Sequence, residues 1–411
     1  MLNSPHCRFC NTPLHTTFAN LGETPLANSY LKSADLARPE PKYPLHARVC
    51  ESCFLVQVDS VVPAENIFGH YVYFSSYSTS WLEHAKKYCE MAREKFGLNE
   101  NSFVVEVASN DGYLLKNFVE MRVPCLGIEP ATNVAEVANK NGVPTEVVFF
   151  GEKTARDIAK NHRKADLIIA NNVLAHVPDL NDFVKGFKAL LNPGGTINVE
   201  APHLLRLIEG VQFDTIYHEH YSYYSLLTLE KIFAQHGLKI YDVDELPTHG
   251  GSLRIYASHA DAAFEISDRV KKVRADERAA NLDKISGYAG FDAKVKQVCD
   301  GLVSFLKKSK IEGKKVAAFG AAAKGNTLLN VAGIKNDLIE FVCDSNPHKQ
   351  GLYLPGSHIP ILAPQAIFDK KPDYVLILPW NIAAEISKDL AGIKSWNGKF
   401  VTAVPNLKIW Q

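Results

Sequence analysis

The stretch "SFVVEVASNDGYLLKNFVE", Ser102 to Glu120, sets the tightest limit on what this chain can fold into. It passes from β-branched residues through Ser109-Asn110-Asp111-Gly112 into a helical period, and so reads as strand, polar turn, helix. A helix-like segment, "WLEHAKKYCEMAREKFGL", precedes it. A second strand, "CLGIEPA", ends in Glu129-Pro130, and a polar loop follows the third in "ADLIIANNVLAHVPDLNDFVKGF". The strand "GTINVEAP" comes after a Pro193-Gly194-Gly195 turn. Repeated alternation of this kind predicts an α/β fold with a parallel, doubly wound sheet and ligands at the carboxyl ends of its strands.

The first turn says which ligand. A dinucleotide fold would show G-x-G-x-x-G, whose glycines let a helix N-terminus approach a pyrophosphate. Here the turn is E-V-A-S-N-D-G, acidic and polar with one glycine. It suits a ligand with no phosphate at that point, and Glu129 at the second strand end is placed to bond a ribose diol. Both features favour S-adenosylmethionine over NAD. The candidate cofactor residues are Glu106, Ser109, Asn110, Asp111, Gly112, Glu129, Pro130, Asn171 and Asn172. An ordinary strand-to-helix cap is the competing reading, because Asp and Asn cap helices well.

At 411 residues the chain is too long for one ordinary core and predicts two or three domains. Its 45 basic and 45 acidic residues cancel, so it lacks the long-range field with which nucleic-acid binders attract phosphate backbones. A zinc-ribbon RNA methyltransferase is therefore a poor fit. The N-terminus "MLNSPHCRFC" has no apolar stretch after a basic start, and no later apolar run reaches the roughly 18 residues that cross a bilayer. A cytoplasmic protein, a monomer or weak homo-oligomer, is expected.

Four of the eight cysteines form two pairs, Cys7-Arg-Phe-Cys10 and Cys50-Glu-Ser-Cys53. In a reducing compartment two such knuckles supply four thiolates to a tetrahedral structural zinc, a closed site that serves folding rather than catalysis. A redox pair is the alternative. Cys89, Cys125, Cys299 and Cys343 stand singly in apolar or helical contexts, where buried small hydrophobes are the expectation.

"YHEHYSYYS", Tyr217 to Ser225, concentrates proton-handling side chains in nine residues. Together with the cysteine knuckles, "YVYFSSYSTSW" (Tyr71 to Trp81), "EVASNDGYLL" (Glu106 to Leu115), "NNVLAHVPD" (Asn171 to Asp179) and "HGGSLRIY" (His249 to Tyr256), it carries a resemblance over nearly the whole chain. The sequence is similar to the S-adenosylmethionine-dependent sugar C-methyltransferases of deoxysugar biosynthesis. The resemblance implies a zinc-binding domain over 1–68, a class I methyltransferase domain over 69–260 and a C-terminal Rossmann-like α/β domain over 261–411. It also implies methylation of a carbon, usually C3, beside the ketone of a dTDP-linked 4-keto-6-deoxy sugar.

Such chemistry needs a base near an acidic C–H and donors near the oxygen that becomes an enolate. His220 is the preferred base, its imidazole titrating near an unperturbed pKa of about 6.5. Glu219 adjoins it and is the alternative. The resemblance carries over Tyr71, His176, Tyr217, Glu219 and His220 as the active-site set, with Tyr73 a competitor for the place of Tyr71. H-x-H spacing also suits metal ligation, but it lacks the i, i+4 pair of an H-E-x-x-H helix. Tyr221, Tyr223 and Tyr224 read as packing residues at a helix start.

The C-terminal third holds a second strand-turn-helix, "KKVAAFGAAAKGNTLLNVAG". Its small residues would let backbone amides approach a phosphate, with Lys324 as cation and Asn326 and Thr327 as caps. Asp344, ending the next strand, invites a dinucleotide reading and hence an NAD-dependent sugar-modifying enzyme. A short domain and the resemblance favour the nucleotide end of the sugar substrate instead, with His249 and Arg254 as further contacts.

Overall fold

The computed structural model describes residues 5–59, 76 and 79–411. The chain opens with strands β1 (Thr16–Thr24), β2 (Tyr43–Val49) and β3 (Val56–Val58), followed by helix α1 (Thr79–Phe96). It then alternates through β4 (Val104–Val107), α2 (Leu115–Glu120), β5 (Cys125–Ile128), α3 (Thr132–Lys140), β6 (Thr145–Glu146), α4 (Glu152–Asn161), β7 (Ala165–Asn171), α5 (Leu180–Leu190) and β8 (Leu191–Pro202). Helix α6 (Leu204–Glu209), β9 (Ser222–Tyr223), α7 (Leu226–Gln235), β10 (Leu238–Leu246) and β11 (Ser252–His259) come next. Two helices, α8 (Asp268–Ala279) and α9 (Phe291–Ile311), lead to β12 (Val316–Phe319), α10 (Ala323–Val331), β13 (Val342–Cys343), β14 (Ile361–Leu362), α11 (Gln365–Lys370), β15 (Tyr374–Ile377), α12 (Ala383–Asp389), β16 (Lys399–Thr402) and β17 (Lys408–Trp410).

Among the described residues the strands form three sheets. The central one has the order β10-β11-β8-β7-β4-β5-β6 and is parallel except for β11, which runs antiparallel to both β8 and β10. Strand order reverses at β4, so a crevice opens outside the carboxyl ends of β4 and β7, where an open α/β sheet binds ligands. The C-terminal sheet, β14-β13-β12-β15-β16-β17, is parallel apart from β17. The expected turn before β8 is absorbed into the strand. Its register jumps between Leu191 and Thr196 opposite β7, and a Cβ on Gly195 would lie 2.9 Å from the Ala165 carbonyl oxygen. A glycine there lets the bulge pack against its neighbour.

The N-terminal sheet, β1-β2-β3-β9, is antiparallel, and its fourth strand comes from far along the chain, pairing Val56 with Tyr223 and Gln57 with Ser222. Beside it the two cysteine knuckles have the same turn. Asn11 N–H donates to the Cys7 carbonyl and Phe54 N–H to that of Cys50, each from a residue at positive φ. The four sulfurs lie within 4.8 Å of one another, with Cys7 to Cys53 and Cys10 to Cys50 both 3.5 Å. These separations are too long for disulfides, which need about 2.05 Å. They suit a tetrahedron around zinc, whose roughly 2.3 Å bonds put sulfurs about 3.8 Å apart. The chain's four-thiolate set thus fits a structural zinc.

The units share cores. Leu14, Leu55 and the knuckle cysteines pack with Tyr224, Leu226, Leu229 and Phe233, and Phe18 of β1 stacks on Phe291 of α9 at 4.4 Å. One buried carboxylate ties the middle of the chain together. Glu277 of α8, fully buried, accepts from the Leu226 and Leu227 amides at 2.6 and 2.9 Å and bonds His203 Nε2 at 2.7 Å. It thereby caps α7 with Ser225, whose hydroxyl accepts from Thr228 N–H. No helix of the described residues is long and apolar enough to cross a membrane.

Two outcomes follow from these contacts. Elemental analysis should find one zinc per chain, and Cys50→Ser should abolish it and lower the thermal midpoint by several degrees, because metal binding is coupled to folding; full zinc retention would contradict the site. Glu277→Leu leaves two amides and an imidazole unsatisfied, each worth about 1–3 kcal/mol, and should lower unfolding free energy by at least about 3 kcal/mol in denaturant titrations.

Candidate active site

At the carboxyl end of β4 the backbone turns through Ala108, Asn110 and Gly112, all at positive φ (58°, 51° and 78°). Two of these are not glycine, and strain of that kind persists where surroundings over-determine it. Glu129 supplies the restraint. Its carboxylate, just past β5, accepts from Asn110 N–H and Ala131 N–H, both at 2.9 Å. The acid expected to reach a ribose therefore also holds the two strand-end turns together, with one lone pair on each oxygen still open. Pro130 stands between Glu129 and Ala131 and leads into α3.

Glu106, Asp111 and Glu129 crowd one spot. Burial first, then Glu129 and Asp111, push the Glu106 carboxyl well above the usual range. Glu106 Oε2, Ser109 Oγ, Asp111 Oδ1 and both side-chain polar atoms of Asn172 are buried without a hydrogen-bond partner among the described residues. Asp111 Oδ2 accepts from Ser76 N–H at 3.2 Å. Buried polar atoms without partners are costly, and three acids beside them repel phosphate. The pocket is complementary to a ligand that brings donors and positive charge, as the amino group and sulfonium of S-adenosylmethionine do. Asn171, at the end of β7, accepts from Asn198 Nδ2 at 2.6 Å, which orients the neighbouring loop.

The predicted catalytic segment lies next to that edge. A 3-10 turn, Phe213–Thr215, precedes it and β9 follows, so Tyr217 to His220 form a loop, as their roles require. His220 Nδ1–H donates to the Thr215 carbonyl at 2.9 Å, leaving Nε2 to accept from the Tyr217 hydroxyl at 2.8 Å. His176 comes in from the 3-10 turn after β7, its ring 4.7 Å from that of His220. Two bonds clamp these elements: Tyr221 N–H to the Ala175 carbonyl at 2.7 Å and Tyr224 hydroxyl to that of Leu174 at 3.0 Å. Tyr221, Tyr223 and Tyr224 are all buried, in and beside β9, as packing residues. Tyr71 and Tyr73 lie outside the described residues.

Burial inverts the expected basicities. It drives His220 well below the ordinary imidazole value, helped by the charges of His176 and Lys324, and lowers His176 to about 4. The same burial lifts the Glu219 carboxyl to about 7, with an opposing hydrogen bond from Asn28 Nδ2 at 2.6 Å. The H-x-H pair does not converge. His218 Nε2 sits 3.3 and 3.2 Å from the Tyr43 and Pro44 carbonyls, away from His220, and the four cysteines are the one metal-capable group among the described residues.

The C-terminal unit contributes differently from expectation. The N-cap of α10 is Ala322, so Asn326 and Thr327 fall in the second turn and cap nothing. They bond the Ala27 and Ala323 carbonyls at 2.6 and 3.1 Å. Asp344 accepts from Ala321 N–H at 2.8 Å within the glycine loop, where a dinucleotide fold would present it to a ribose. Lys324 projects toward the central sheet. Its buried ammonium lies 3.5 Å from the His249 carbonyl and feels the charge of Asp214. Arg254 is committed to Glu200 at 2.9 Å and to the Tyr88 ring, a buried structural pair rather than an open contact. His249, half-buried at φ 57°, packs against Trp81 at 5.6 Å.

Sequence reasoning missed Glu200, His84, Asp214 and Trp380. Glu200, held near pKa 2 chiefly by His84 and Arg254 against burial, also accepts from Thr248 and so fixes the His249 turn. Trp380 Nε1 donates to Asp214 at 2.7 Å, and a Cβ on Gly250 would lie 2.4 Å from the Trp380 ring. A buried acid in the strand "NVEAP" was the one local signal available.

Comparison with known proteins follows this architecture. Residues 7–68 match a zinc binding domain model, 81–243 a methyltransferase domain model and 247–405 a C-methyltransferase C-terminal domain model. The C-methyltransferase NovU of Streptomyces niveus is 36% identical over 403 residues, covering 98% of this chain and 96% of its own. A ubiquinone biosynthesis O-methyltransferase of Haemophilus ducreyi is 25% identical over 121 residues, 27% of this chain and 51% of its own. Among solved structures, magnesium protoporphyrin IX methyltransferase from Synechocystis PCC 6803 with bound SAM is 12% identical with a TM-score of 0.34, covering 43% of this chain and 79% of its own. A SAM-dependent methyltransferase from Anabaena variabilis is 14% identical with a TM-score of 0.34, covering 42% and 83%. The match to NovU extends through all three units, and the chain belongs to the S-adenosylmethionine-dependent C-methyltransferases that carry an N-terminal zinc-binding domain.

Proposed function

We propose that this protein methylates the ring carbon next to the ketone, C3, of a dTDP-linked 4-keto-6-deoxy sugar through an enolate. The observation that carries the reading is a cluster of buried Glu219 with half-buried Tyr217, His220 and His176, beside a cofactor pocket at the strand ends of the central sheet. When bound, S-adenosylmethionine supplies an electrophilic methyl group. A sugar carbon attacks it only after losing a proton, and the residues here are arranged to take one.

Glu219 is the proton acceptor in this reading, in place of the His220 preferred from sequence. Its carboxyl, raised to about 7, has the basicity a general base needs near neutral pH. His220 is held neutral, and its Nε2 lone pair already faces the Tyr217 hydroxyl. In this reading the Tyr217 hydroxyl turns its one proton from His220 Nε2 to the developing enolate oxygen once the sugar is bound, with His176 beside it. Lys324 adds a cation from the C-terminal unit, where backbone and lysine suit the diphosphate of the substrate. Closing the cluster off from water strengthens each of these terms.

Glu219 is ionised above its folded pKa, so activity should rise with pH through about 7 and fall away below it. Glu219→Gln should lower methyl transfer to a dTDP-4-keto-6-deoxy sugar by roughly 10²–10⁴-fold while cofactor binding by calorimetry is kept. His220→Asn should reduce the rate and leave the acid limb in place. A fully active Glu219→Gln protein rules out the assignment, and methylation of GDP- or CDP-linked sugars alone rules out the nucleotide.

A further inference from the structure

The 3-10 turn Phe213–Thr215, just ahead of the Tyr217 to His220 loop, is held by the C-terminal unit. Its Asp214 is fully buried, and Trp380 Nε1 donates to Asp214 Oδ2 at 2.7 Å. A buried carboxylate is costly unless it is partnered. Burial lifts this one, to about 6, and the two side chains that oppose the rise, Lys324 and Trp380, both come from the C-terminal unit. Trp380 opens a short 3-10 turn, Trp380–Ile382, between β15 and α12, and it is closely seated there. Lys324 Nζ lies 5.2 Å from the centre of its ring, and Gly320 of the glycine loop abuts the preceding Pro379 so tightly that a Cβ would lie 2.4 Å from Pro379 Cδ.

The residue after Asp214 sets the state of His220. The Thr215 carbonyl lies 2.9 Å from His220 Nδ1, and a carbonyl can only accept, so the ring carries its proton on Nδ1 and its lone pair on Nε2, 2.8 Å from the Tyr217 hydroxyl. Free histidine favours the opposite tautomer, so this one has to be held. The carbonyl that holds it is aimed by the turn. Thr215 N–H and Oγ–H both donate to the Gln212 carbonyl, at 3.1 and 2.8 Å, and Ile216 N–H donates to that of Phe213 at 2.9 Å. We infer that Trp380 and Asp214 are positioning residues for the reaction: their hydrogen bond fixes the turn, and the turn fixes the tautomer and aim of His220. This rests on the place of His220 in the reacting cluster and is indifferent to which group takes the proton. The C-terminal unit thereby acts on the chemistry as well as on the substrate.

The test is nitrogen NMR of the full-length protein with isotope-labelled histidines, in which the protonated and unprotonated ring nitrogens of a neutral histidine give separate signals. His220→Asn identifies the pair by its loss, and no substrate is needed. In the wild type the proton should sit on Nδ1. Trp380→Phe keeps a ring in place and removes the N–H that Asp214 accepts; it should move much of the proton to Nε2 and lower methyl transfer by up to about a hundredfold at unchanged cofactor affinity. Asp214→Ala should do the same, and the two changes together should cost little more than either alone, as for residues that act as a unit. Asp214→Asn, which keeps an oxygen for Trp380, should hold the proton on Nδ1. A His220 tautomer unmoved in Trp380→Phe, or in Asp214→Ala should the first variant fail to keep its zinc, marks a merely structural pair and overturns the inference, as does full activity with the proton on Nε2. A fully active His220→Asn protein instead overturns the place of His220 in the reaction, whatever its tautomer.

Discussion

Two residue pairs, Val56 with Tyr223 and Gln57 with Ser222, hold the active site in place. They make β9 the last strand of the N-terminal sheet, and β9 begins two residues after His220. A ladder this short has little stability of its own. Its partner β3 follows the second cysteine knuckle closely, and Val58 N–H extends the pairing by donating to the Tyr221 carbonyl at 3.0 Å. Arg8, inside the first knuckle, bonds the Val58 carbonyl at 2.6 Å and lies over the Tyr221 ring at 5.3 Å. A sheet of this size cannot bury enough surface to be firm without a staple, which is what a four-thiolate zinc provides. A structural metal held by the four cysteines would thereby set the geometry of the proposed catalytic loop, with which it shares no ligand.

From that constraint the electrostatics follow. A loop fastened between three units is largely withdrawn from water, with His218 and Glu219 buried and Tyr217 and His220 half-buried, and burial raises acids and lowers bases. Glu219 rises to about 7 and His176 falls to about 4, so the carboxylate acquires the basicity usual for imidazole while the imidazoles act as neutral hydrogen-bonding groups. The cofactor pocket uses the same principle to another end. In the proposed reading Glu106, Asp111 and Glu129 concentrate negative potential where a sulfonium and an amino group would bind, whereas Lys324 and the glycine loop concentrate donors where a diphosphate would lie. The two ends of the site are thus separated by sign of charge.

Local patterns were the legible part of this molecule. Strand-turn-helix periodicity identified the central sheet and the C-terminal one, and C-x-x-C spacing identified the zinc site, because each depends on residues within a few positions of one another. What escaped depends on pairs distant in sequence: Asn28 with Glu219, Trp380 with Asp214, Arg254 with Glu200. No period or spacing encodes such pairs. The helix caps expected at Asn326 and Thr327 failed because α10 starts at Ala323, so both side chains turn inward to bond carbonyls. The choice between His220 and Glu219 as base was not legible either, because unperturbed pKa values do not anticipate the shifts that burial imposes on both groups.

The central claim is that Glu219 removes a carbon-bound proton to make an enolate. Incubating a dTDP-4-keto-6-deoxy sugar with the protein in deuterium oxide, with the demethylated cofactor bound, and following the C3 proton by NMR tests it without methyl transfer. The account predicts exchange at C3 with the wild type and none above background with Glu219→Gln. Undiminished exchange in that variant would contradict it.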